Sequence, residues 1–393
     1  MTAIYRLQTV AIQGYRPFRD FRAKLGALEV LVGANGAGKS SLFEFLRFLR
    51  DGLRDEIPPE IVPGAVGQQV FHSPGTARFA WELTVGFGPA PWVRYEGELL
   101  GPVGRPQVIR EQVASLAPPT MTPPPPALYM EVEQGQGRLR EKQGANGTEQ
   151  EISLNRLNRL ALASVTNPSL RTLYMLREYI AGWRFYGAYS LAGERIRRAV
   201  PVQQEPLLAE DGSNLAAILH YLLTEHQPIF EELQQHLRAA VPGFLGLTVK
   251  ARGGPGEVMA FWREQGVERE LSLADLSDGI LRLICWMVLC LQPNPPSLIC
   301  IDEPDQGVHP RTLPILAGLL DKASERTQLL VATHSSYFLT QFDLTQVAVM
   351  RKEDGEAEFL KPHDSDILHA MLADFGPDEV ERLHRSDELE RLA

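Results

Sequence analysis

The feature that most constrains the fold of this chain is a glycine-rich segment, residues 33–40, with the sequence Gly-Ala-Asn-Gly-Ala-Gly-Lys-Ser. An apolar run, residues 28–32, leads into it. Residues 40–53 follow it, with leucine and phenylalanine at helical spacing and basic residues between them. The order of strand, glycine-rich turn and helix is typical of a buried strand that opens into a loop of backbone N–H groups. It predicts an α/β fold with an anion site at the start of the first helix.

The spacing of this segment fits the pattern Gly-x4-Gly-Lys-Ser/Thr of a phosphate-binding loop. Glycines let backbone N–H groups curl around phosphate oxygens, and the N-terminus of the following helix adds positive potential. The pattern assigns Lys39 to the β- and γ-phosphates and the hydroxyl of Ser40 to Mg²⁺. We therefore expect ATP to be bound by these residues: Gly33, Ala34, Asn35, Gly36, Ala37, Gly38, Lys39, Ser40 and Ser41.

Two later apolar runs also end in polar residues, at Asp302 and Glu303 and at His334. Ligands of open α/β sheets bind at the carboxyl ends of strands, where these side chains are expected to meet. Asp302 is predicted to hold Mg²⁺, Glu303 to polarise the attacking water as a general base, and His334 to sense the γ-phosphate. The alternatives are a solvated turn for the two carboxylates and a helix cap for the histidine.

The sequence Leu-Ser-Asp-Gly, residues 276–279, precedes an apolar helical stretch over 280–291. Ser277 or Asp278 suits the N-cap of that helix. A serine and a glycine at a helix start also form an anion site. Ser277 and Gly279 are therefore candidates for binding the γ-phosphate of a second nucleotide.

Composition excludes several other classes of protein. The chain has 393 residues, 39 basic and 49 acidic, with a net charge of −10, so contact with nucleic acid would depend on local patches. Three cysteines lie in apolar stretches and predict buried thiols in a reducing compartment: Cys285, Cys290 and Cys300. The first ten residues lack the apolar centre of a signal peptide, and the run 280–291 is too short to span a bilayer. We expect a cytoplasmic protein without a membrane partner.

The chain is predicted to divide into four parts. Residues 1–99 hold the phosphate loop and an antiparallel hairpin, formed by strands over 77–87 and 92–99. Residues 100–200 are predicted as a Pro/Gly-rich and helical insertion, with a loop over 134–150 and helices over 151–184. The other two parts are residues 201–362, which complete the α/β domain, and a helical tail, residues 363–393. Within 276–351, helices and strands alternate as in a parallel sheet covered by helices.

The order of phosphate loop, Leu-Ser-Asp-Gly, Ile-Asp-Glu-Pro and Thr-His-Ser resembles the ABC-type P-loop ATPases, particularly their SMC/RecF-like branch. The stretch 302–310 (DEPDQGVHP) and the stretch 208–222 are similar to bacterial predicted AAA-family ATPases related to RecF and OLD proteins. The resemblance covers roughly residues 1–90 and 200–362. It implies an ABC-type fold with a mixed or parallel sheet flanked by helices, an antiparallel β subdomain and a helical insertion.

The resemblance also implies ATP and Mg²⁺ as ligands and an ATP-dependent homodimer. Two chains would stack head to tail, with each ATP between Lys39 of one copy and Ser277 of the other. The sequence departs from the family pattern because its signature is Leu-Ser-Asp-Gly, and because long coiled-coil arms and a Toprim domain are missing from it. Gln68 or Gln69 is the candidate for the Q-loop. The candidates for adenine contact, placed before the phosphate loop, are Tyr15, Arg16 and Phe18.

Two biological roles remain open at this stage. One is DNA repair or anti-phage defence, with DNA as a candidate partner through two arginine clusters, Arg47/Arg50/Arg54 and Arg195/Arg197/Arg198. The alternative is an ATP-gated module that controls a protein effector, such as a separately encoded nuclease, without binding DNA itself. Solvated helix faces are the other explanation of the arginine clusters.

Overall fold

The computed structural model describes residues 5–64, 67–87, 92–116, 127–141, 147–188, 190–365 and 383–384. Most of the predicted C-terminal helical tail lies outside these residues, as does the turn predicted between the first two hairpin strands. Within the described part of the chain, no helix is long and apolar enough to cross a membrane.

Strands form most of the regular structure, and they alternate with helices mainly in the second half of the chain. The strands are β1 (Tyr5–Tyr15), β2 (Phe18–Lys24), β3 (Leu28–Val32), β4 (Arg78–Phe87), β5 (Trp92–Leu100), β6 (Gln107–Leu116), β7 (Leu128–Glu133), β8 (Gln136–Glu141), β9 (Thr148–Ser153), β10 (Arg184–Gly187), β11 (Val200–Pro201), β12 (Phe244–Ala251), β13 (Glu257–Glu264), β14 (Leu271–Ser272), β15 (Leu298–Asp302), β16 (Gln328–Ala332), β17 (Val347–Glu353) and β18 (Glu356–Leu360). The helices are α1 (Lys39–Gly52), α2 (Arg171–Ala181), α3 (Leu215–Glu225), α4 (Gln227–Ala240), α5 (Asp278–Leu291), α6 (Leu313–Ser324) and α7 (Ser336–Leu339).

A six-stranded central sheet has the order β10-β15-β16-β3-β17-β18. Its first five strands are parallel, and β18 pairs antiparallel with β17. Alternate side chains of β3 enter two different cores, because successive residues of a strand point to opposite faces. Leu31 packs on the side of α1, whereas Val30 and Val32 pack on the side of α3, α5 and α6. The predicted α/β fold class with a mixed sheet is confirmed.

An eight-stranded antiparallel sheet, in the order β2-β1-β4-β5-β6-β7-β8-β9, lies beside the central sheet. Gln328 of β16 has a fully buried side chain, and its hydrogen bonds join the two sheets. Its Nε2 donates to the carbonyls of Leu7 and Gly26, both at 2.8 Å, and its Oε1 accepts from the N–H of Leu7 at 2.8 Å. A third, smaller antiparallel sheet contains β11, β13, β12 and β14, and β12 and β13 form a hairpin that turns around residues 253–256.

The middle of the chain differs from its sequence prediction. Residues 134–150, predicted as a loop, contribute β8 and part of β9, and only α2 is α-helical within the stretch 151–184. Gln134 and Gly135 have φ angles of 48° and 77°, so these two residues form the tight turn between β7 and β8. The loop prediction is wrong because the strands at this end of the sheet are largely solvent-exposed and polar, and lack the apolar alternation of a half-buried strand.

A buried carboxyl group ties the antiparallel sheet to the segment before α2. Glu111 of β6 is 2% exposed and accepts hydrogen bonds from the Tyr95 hydroxyl at 2.8 Å and from the N–H groups of Ala161 and Leu162. Burial raises the pKa of Glu111 from 4.5 to about 7, although the three hydrogen bonds oppose the shift. The folded protein therefore retains this proton over a pH range in which the unfolded chain has lost it.

Replacing Glu111 by glutamine should change how stability depends on pH. The Glu111 carboxyl favours folding fully below about pH 4.5, and that contribution is lost as the pH rises to about 7. Between these limits the free energy of unfolding of the wild type should fall, relative to Glu111→Gln, by on the order of 3 kcal/mol. Urea unfolding of both proteins from pH 4.5 to 8 measures the difference. Glu131→Gln, an exposed change on β7, is the control, and a pH-independent difference between wild type and Glu111→Gln would contradict the assignment.

Candidate active site

The three motif-bearing strands end side by side at the carboxyl edge of the central sheet. Ala332 of β16 pairs with Leu31 of β3 on one side and with Asp302 of β15 on the other. The backbone continues this alignment beyond the strands, because the N–H of Glu303 donates to the carbonyl of Ala332 at 2.8 Å and that of Thr333 to the carbonyl of Leu31 at 3.1 Å. Parallel strands thus bring together segments that are about 300 residues apart in the sequence.

The phosphate loop has the backbone conformation that its glycines predict. Gly33, Gly36 and Gly38 have φ angles of 145°, 81° and 109°, all in a region that side chains disfavour. A Cβ at Gly33 would lie 2.0 Å from the carbonyl oxygen of Met350, so β17 leaves room only for glycine there. Ala34, Asn35 and Gly36 are exposed at the tip of the loop. The loop therefore presents backbone to solvent at the N-terminus of α1, as an anion site requires.

Lys39, the first residue of α1, is only 6% exposed. Its Nζ donates to the carbonyl of Gly33 at 2.6 Å and lies 3.3 Å from the carbonyl of Ala34. The ammonium group of Lys39 thus contacts backbone carbonyls of the phosphate loop itself. Burial raises the pKa of Asp302 and of Glu303, and the positive charge of Lys39 opposes that rise at both carboxyl groups.

The two carboxyl groups at the end of β15, those of Asp302 and Glu303, are partly desolvated. Burial raises the pKa of Asp302. Burial, with the nearby charges of Asp305 and Asp302, raises the pKa of Glu303 to about 7. Glu303 also has a φ angle of 54°, a conformation that non-glycine residues rarely adopt outside turns and functional sites. A carboxyl group with a pKa near 7 is suited to general acid–base chemistry at neutral pH.

His334 lies against Glu303. Its Nε2 is 3.5 Å from Glu303 Oε1, and its backbone N–H lies 3.4 Å from Glu303 Oε2. Burial and the charge of Lys39 lower the pKa of His334, so its imidazole is neutral at physiological pH. Ser335 caps α7, and its hydroxyl accepts from the N–H of Phe338. The helix-cap explanation therefore applies to Ser335, and the side chain of His334 faces the carboxylate.

The signature segment, residues 276–279, lies at a second cavity of the same chain. Ser277 is the N-cap of α5, as the sequence predicts, and its hydroxyl lies 3.4 Å from the N–H of Ile280. Gly279 is tightly packed, because a Cβ there would lie 2.2 Å from the carbonyl of Gly307. Ser277 and Gly279 line a cavity of about 350 Å³ together with Gly307 and His309. This cavity is distinct from the one beside the phosphate loop.

A cavity of about 670 Å³ adjoins the phosphate loop and is lined by Gly36 and Ser41 together with Arg16, Gln69 and Lys352. Gln69, one of the two Q-loop candidates, therefore lies at this cavity. The side chain of the other candidate, Gln68, is outside the described part of the chain. Of the three candidates for adenine contact, only Arg16 lines this cavity.

The structure contradicts the other two candidates for adenine contact. Tyr15 and Phe18 are both fully buried. The hydroxyl of Tyr15 donates to Glu44, and the ring of Phe18 packs 4.4 Å, between centroids, from that of Phe21. They are core residues of the antiparallel sheet, because the inward face of β1 and β2 requires large apolar side chains. Their position before the phosphate loop in the sequence does not show which side chains of β1 and β2 point into the core.

The predicted metal ligands fit the chemistry of Mg²⁺. The Ser40 hydroxyl is exposed at the start of α1, and the Asp302 carboxyl lies at the same sheet edge. Both offer hard oxygen donors, and Mg²⁺ is usually held by one or two such ligands together with nucleotide phosphates and water.

The sequence prediction missed two hydrogen bonds that hold the loop after Glu303. The Thr333 hydroxyl donates to Asp305 Oδ1 at 2.5 Å, and this bond ties the loop after Glu303 to the end of β16. Arg282 of α5 donates to the carbonyl of Gln306 at 3.2 Å and so joins the same loop to the signature helix. Asp305 lies within the stretch 302–310, but its position in the sequence does not show that Thr333 is its hydrogen-bond partner.

Comparison with solved structures identifies the fold. An SMC head bound to the C-winged-helix domain of ScpA matches with a TM-score of 0.58 and 11% identity, over 90% of this chain and 97% of the other. An SMC head with an extended coiled coil, bound to the C-terminal domain of ScpA and derived from Pyrococcus furiosus, matches with a TM-score of 0.56 and 11% identity, over 94% and 99%. These matches show that the chain has the fold of SMC head domains, and the order of its motifs resembles that of the SMC/RecF-like P-loop ATPases.

A finer likeness comes from the sequence. Residues 149–340 match the family described as "AAA domain, putative AbiEii toxin, Type IV TA system". The match includes the signature, the two carboxylates after β15 and His334, and it begins after the phosphate loop. No curated protein matches the chain.

Proposed function

We propose that the protein binds and hydrolyses ATP with Mg²⁺, and that ATP drives its dimerisation as a switch. One observation carries the proposal. The phosphate loop, the Asp302–Glu303 pair and His334 come from three different strands and meet at one sheet edge, with Glu303 and His334 3.5 Å apart. An anion site, a carboxyl with a pKa near 7 and a neutral imidazole are the groups that hydrolysis of a nucleoside triphosphate requires.

The residues of the site divide the chemistry between them. Backbone N–H groups of the phosphate loop and Lys39 hold the phosphates and stabilise the charge that develops on them. Glu303 orients the attacking water and takes its proton, and His334 donates a hydrogen bond to the γ-phosphate. When bound, Mg²⁺ neutralises phosphate charge, and Ser40 and Asp302 are the residues that would hold it. Loss of the γ-phosphate removes these contacts and shifts the population away from the closed state.

The position of the signature segment supports a homodimer. Ser277 and Gly279 face a cavity other than the one beside the phosphate loop. A signature that contacts the γ-phosphate of ATP must therefore come from a second copy, and each dimer would contain two such composite sites. ATP held between the copies acts as the glue, and hydrolysis releases them.

The biological role that we propose is anti-phage defence rather than DNA repair, through a protein effector. The description of the matching family, a putative toxin of a type IV toxin–antitoxin system, supports defence. In the first of the two arginine clusters, Arg47/Arg50/Arg54, each side chain has a partner within the chain. Arg50 is 5% exposed and pairs with Asp51 and Glu210, Arg54 donates to the carbonyl of Ala181, and Arg47 lies over the ring of Phe185.

Steady-state turnover with and without duplex DNA tests this role. We expect Mg-ATP hydrolysis that duplex DNA changes by no more than about twofold, because the net charge of −10 and the paired arginines leave little attraction for phosphate backbones. Glu303→Gln supplies the blank. Activation of several-fold by DNA at low salt, lost at high salt, would overturn the effector role in favour of a DNA-dependent one. Hydrolysis equal to the blank under every condition would overturn the ATPase itself.

A further inference from the structure

Arg197 binds the segment that leads into the signature. Its Nη1 lies 3.2, 3.2 and 2.8 Å from the carbonyl oxygens of Leu273, Ala274 and Leu276, and its Nη2 donates to the carboxylate of Asp278. The side chain of Arg197 is 18% exposed. One guanidinium group therefore contacts the backbone immediately before Ser277 and the side chain immediately after it.

The rest of this segment is also fixed by local hydrogen bonds. Ser272 and Asp275 form a capping box, in which Asp275 Oδ2 accepts from the N–H of Ser272 at 2.8 Å. On the other side, Gly279 lies against Gly307 of the loop that follows Glu303. Arg197 comes from the end of the 100–200 segment and links that segment to the signature.

We propose that Arg197 is a positioning residue for the signature serine: it holds residues 273–278 so that Ser277 is preorganised to contact the ATP bound by a second copy. The inference rests on the proposed function, in which Ser277 completes a composite site. Preorganisation matters because a donor that must be ordered at each encounter loses part of its binding free energy. Arg197 itself does not touch the nucleotide in this arrangement.

The chemistry of the site requires arginine. The planar guanidinium offers donors in a fixed fork, which suits three carbonyls on one side and a carboxylate on the other. A lysine ammonium is a single point charge and cannot reach both sets of acceptors. A neighbouring arginine, Arg198, is exposed and serves as the matched control.

A double-mutant cycle with full-length protein tests the proposal. Turnover and ATP-dependent dimerisation are measured for wild type, Arg197→Ala, Ser277→Ala and the double variant, with Arg197→Lys and Arg198→Ala in parallel. Dimerisation is measured by light scattering in the Glu303→Gln background. The affinity of a fluorescent ATP analogue for the single chain and the thermal midpoint are measured for each variant.

Arg197→Ala is expected to lower kcat and dimerisation at least tenfold while nucleotide affinity stays within twofold of wild type. Arg197→Lys should behave like Arg197→Ala, and Arg198→Ala like wild type. In the Ser277→Ala background, Arg197→Ala should have almost no further effect, because it acts through that serine.

Four outcomes would overturn the inference. Full additivity of the two changes would show that Arg197 does not act through Ser277. A parallel fall in nucleotide affinity and thermal midpoint would show a structural role only, as would full rescue by lysine. A wild-type protein that hydrolyses ATP but is insensitive to Ser277→Ala would refute the composite site, whereas a wild-type protein with neither hydrolysis nor nucleotide binding would refute the proposed function.

Discussion

Glu303→Gln is expected to lower kcat by about 10²- to 10⁴-fold, the usual contribution of a general base. The amide has nearly the same shape as the carboxylate but cannot take the proton of the attacking water. Nucleotide binding should persist, because the phosphate loop is unchanged. ATP should therefore remain unhydrolysed between the two copies, and the dimer should accumulate in Mg-ATP. Phosphate release measures the first effect, and light scattering measures the second.

The matched control for this change is Glu325→Gln, which removes a carboxylate from an exposed position after α6. It should turn over ATP and dimerise like the wild type. If Glu303→Gln retained turnover within about tenfold of wild type, Glu303 would not be the base. If it bound ATP without hydrolysis but remained monomeric, the ATPase chemistry would stand and the homodimer would be wrong.

Lys39→Ala is expected to weaken nucleotide binding by about 100-fold, because the ammonium group makes charge-assisted hydrogen bonds that are each worth about 1.5–3 kcal/mol. Hydrolysis and ATP-dependent dimerisation should fall with binding. Titration with a fluorescent ATP analogue measures the affinity directly. The reason is geometric as well as electrostatic, since Lys39 Nζ already lies against the Gly33 carbonyl inside the loop that would receive the phosphates.

Lys322→Ala is the control for charge, because Lys322 is 63% exposed and forms an ion pair with Glu232 of α4. It should bind nucleotide like the wild type. The thermal midpoint of Lys39→Ala without nucleotide shows whether the fold is retained. Nucleotide affinity within about threefold of wild type in a folded Lys39→Ala protein would contradict the assignment of this loop as the nucleotide site.

The local elements of the site follow directly from sequence patterns. Residues 28–32 and 298–302 are mainly apolar, with one carboxylate in each run (Glu29 and Asp302), as expected of strands buried on both faces, and the structure has strands there. The N-cap at Ser277 is also confirmed. A serine before an apolar helix is predicted as its N-cap because the hydroxyl accepts from one of the N–H groups that the first turn leaves without a partner. Exposed polar strands are the opposite case, because β8 and the first half of β9 lie in the stretch 134–150 that the sequence predicts as a loop.

The antiparallel sheet shows why faces are harder to predict than elements. Tyr15 and Phe18 stand close to the phosphate loop in the sequence, yet both point into the core. A shift of one residue along a strand moves a side chain to the opposite face, and short, irregular strand ends do not reveal which face is inward. Arg16 and Gln69 line the neighbouring cavity because turns and a short helix, rather than strand alternation, determine their direction.

The sequence by itself determined the chemistry of this protein: a phosphate loop, two carboxylates at a strand end, a histidine at another and a serine–glycine helix start, each recognisable because local spacing determines local structure. Only the tertiary structure decided which of these groups meet. The parallel pairing of β3, β16 and β15 brings Lys39, Glu303 and His334 to one edge, while Ser277 lies at another cavity. Pairing partners and the contacts of Arg197 depend on residues far apart in the chain, and no local pattern encodes such distances.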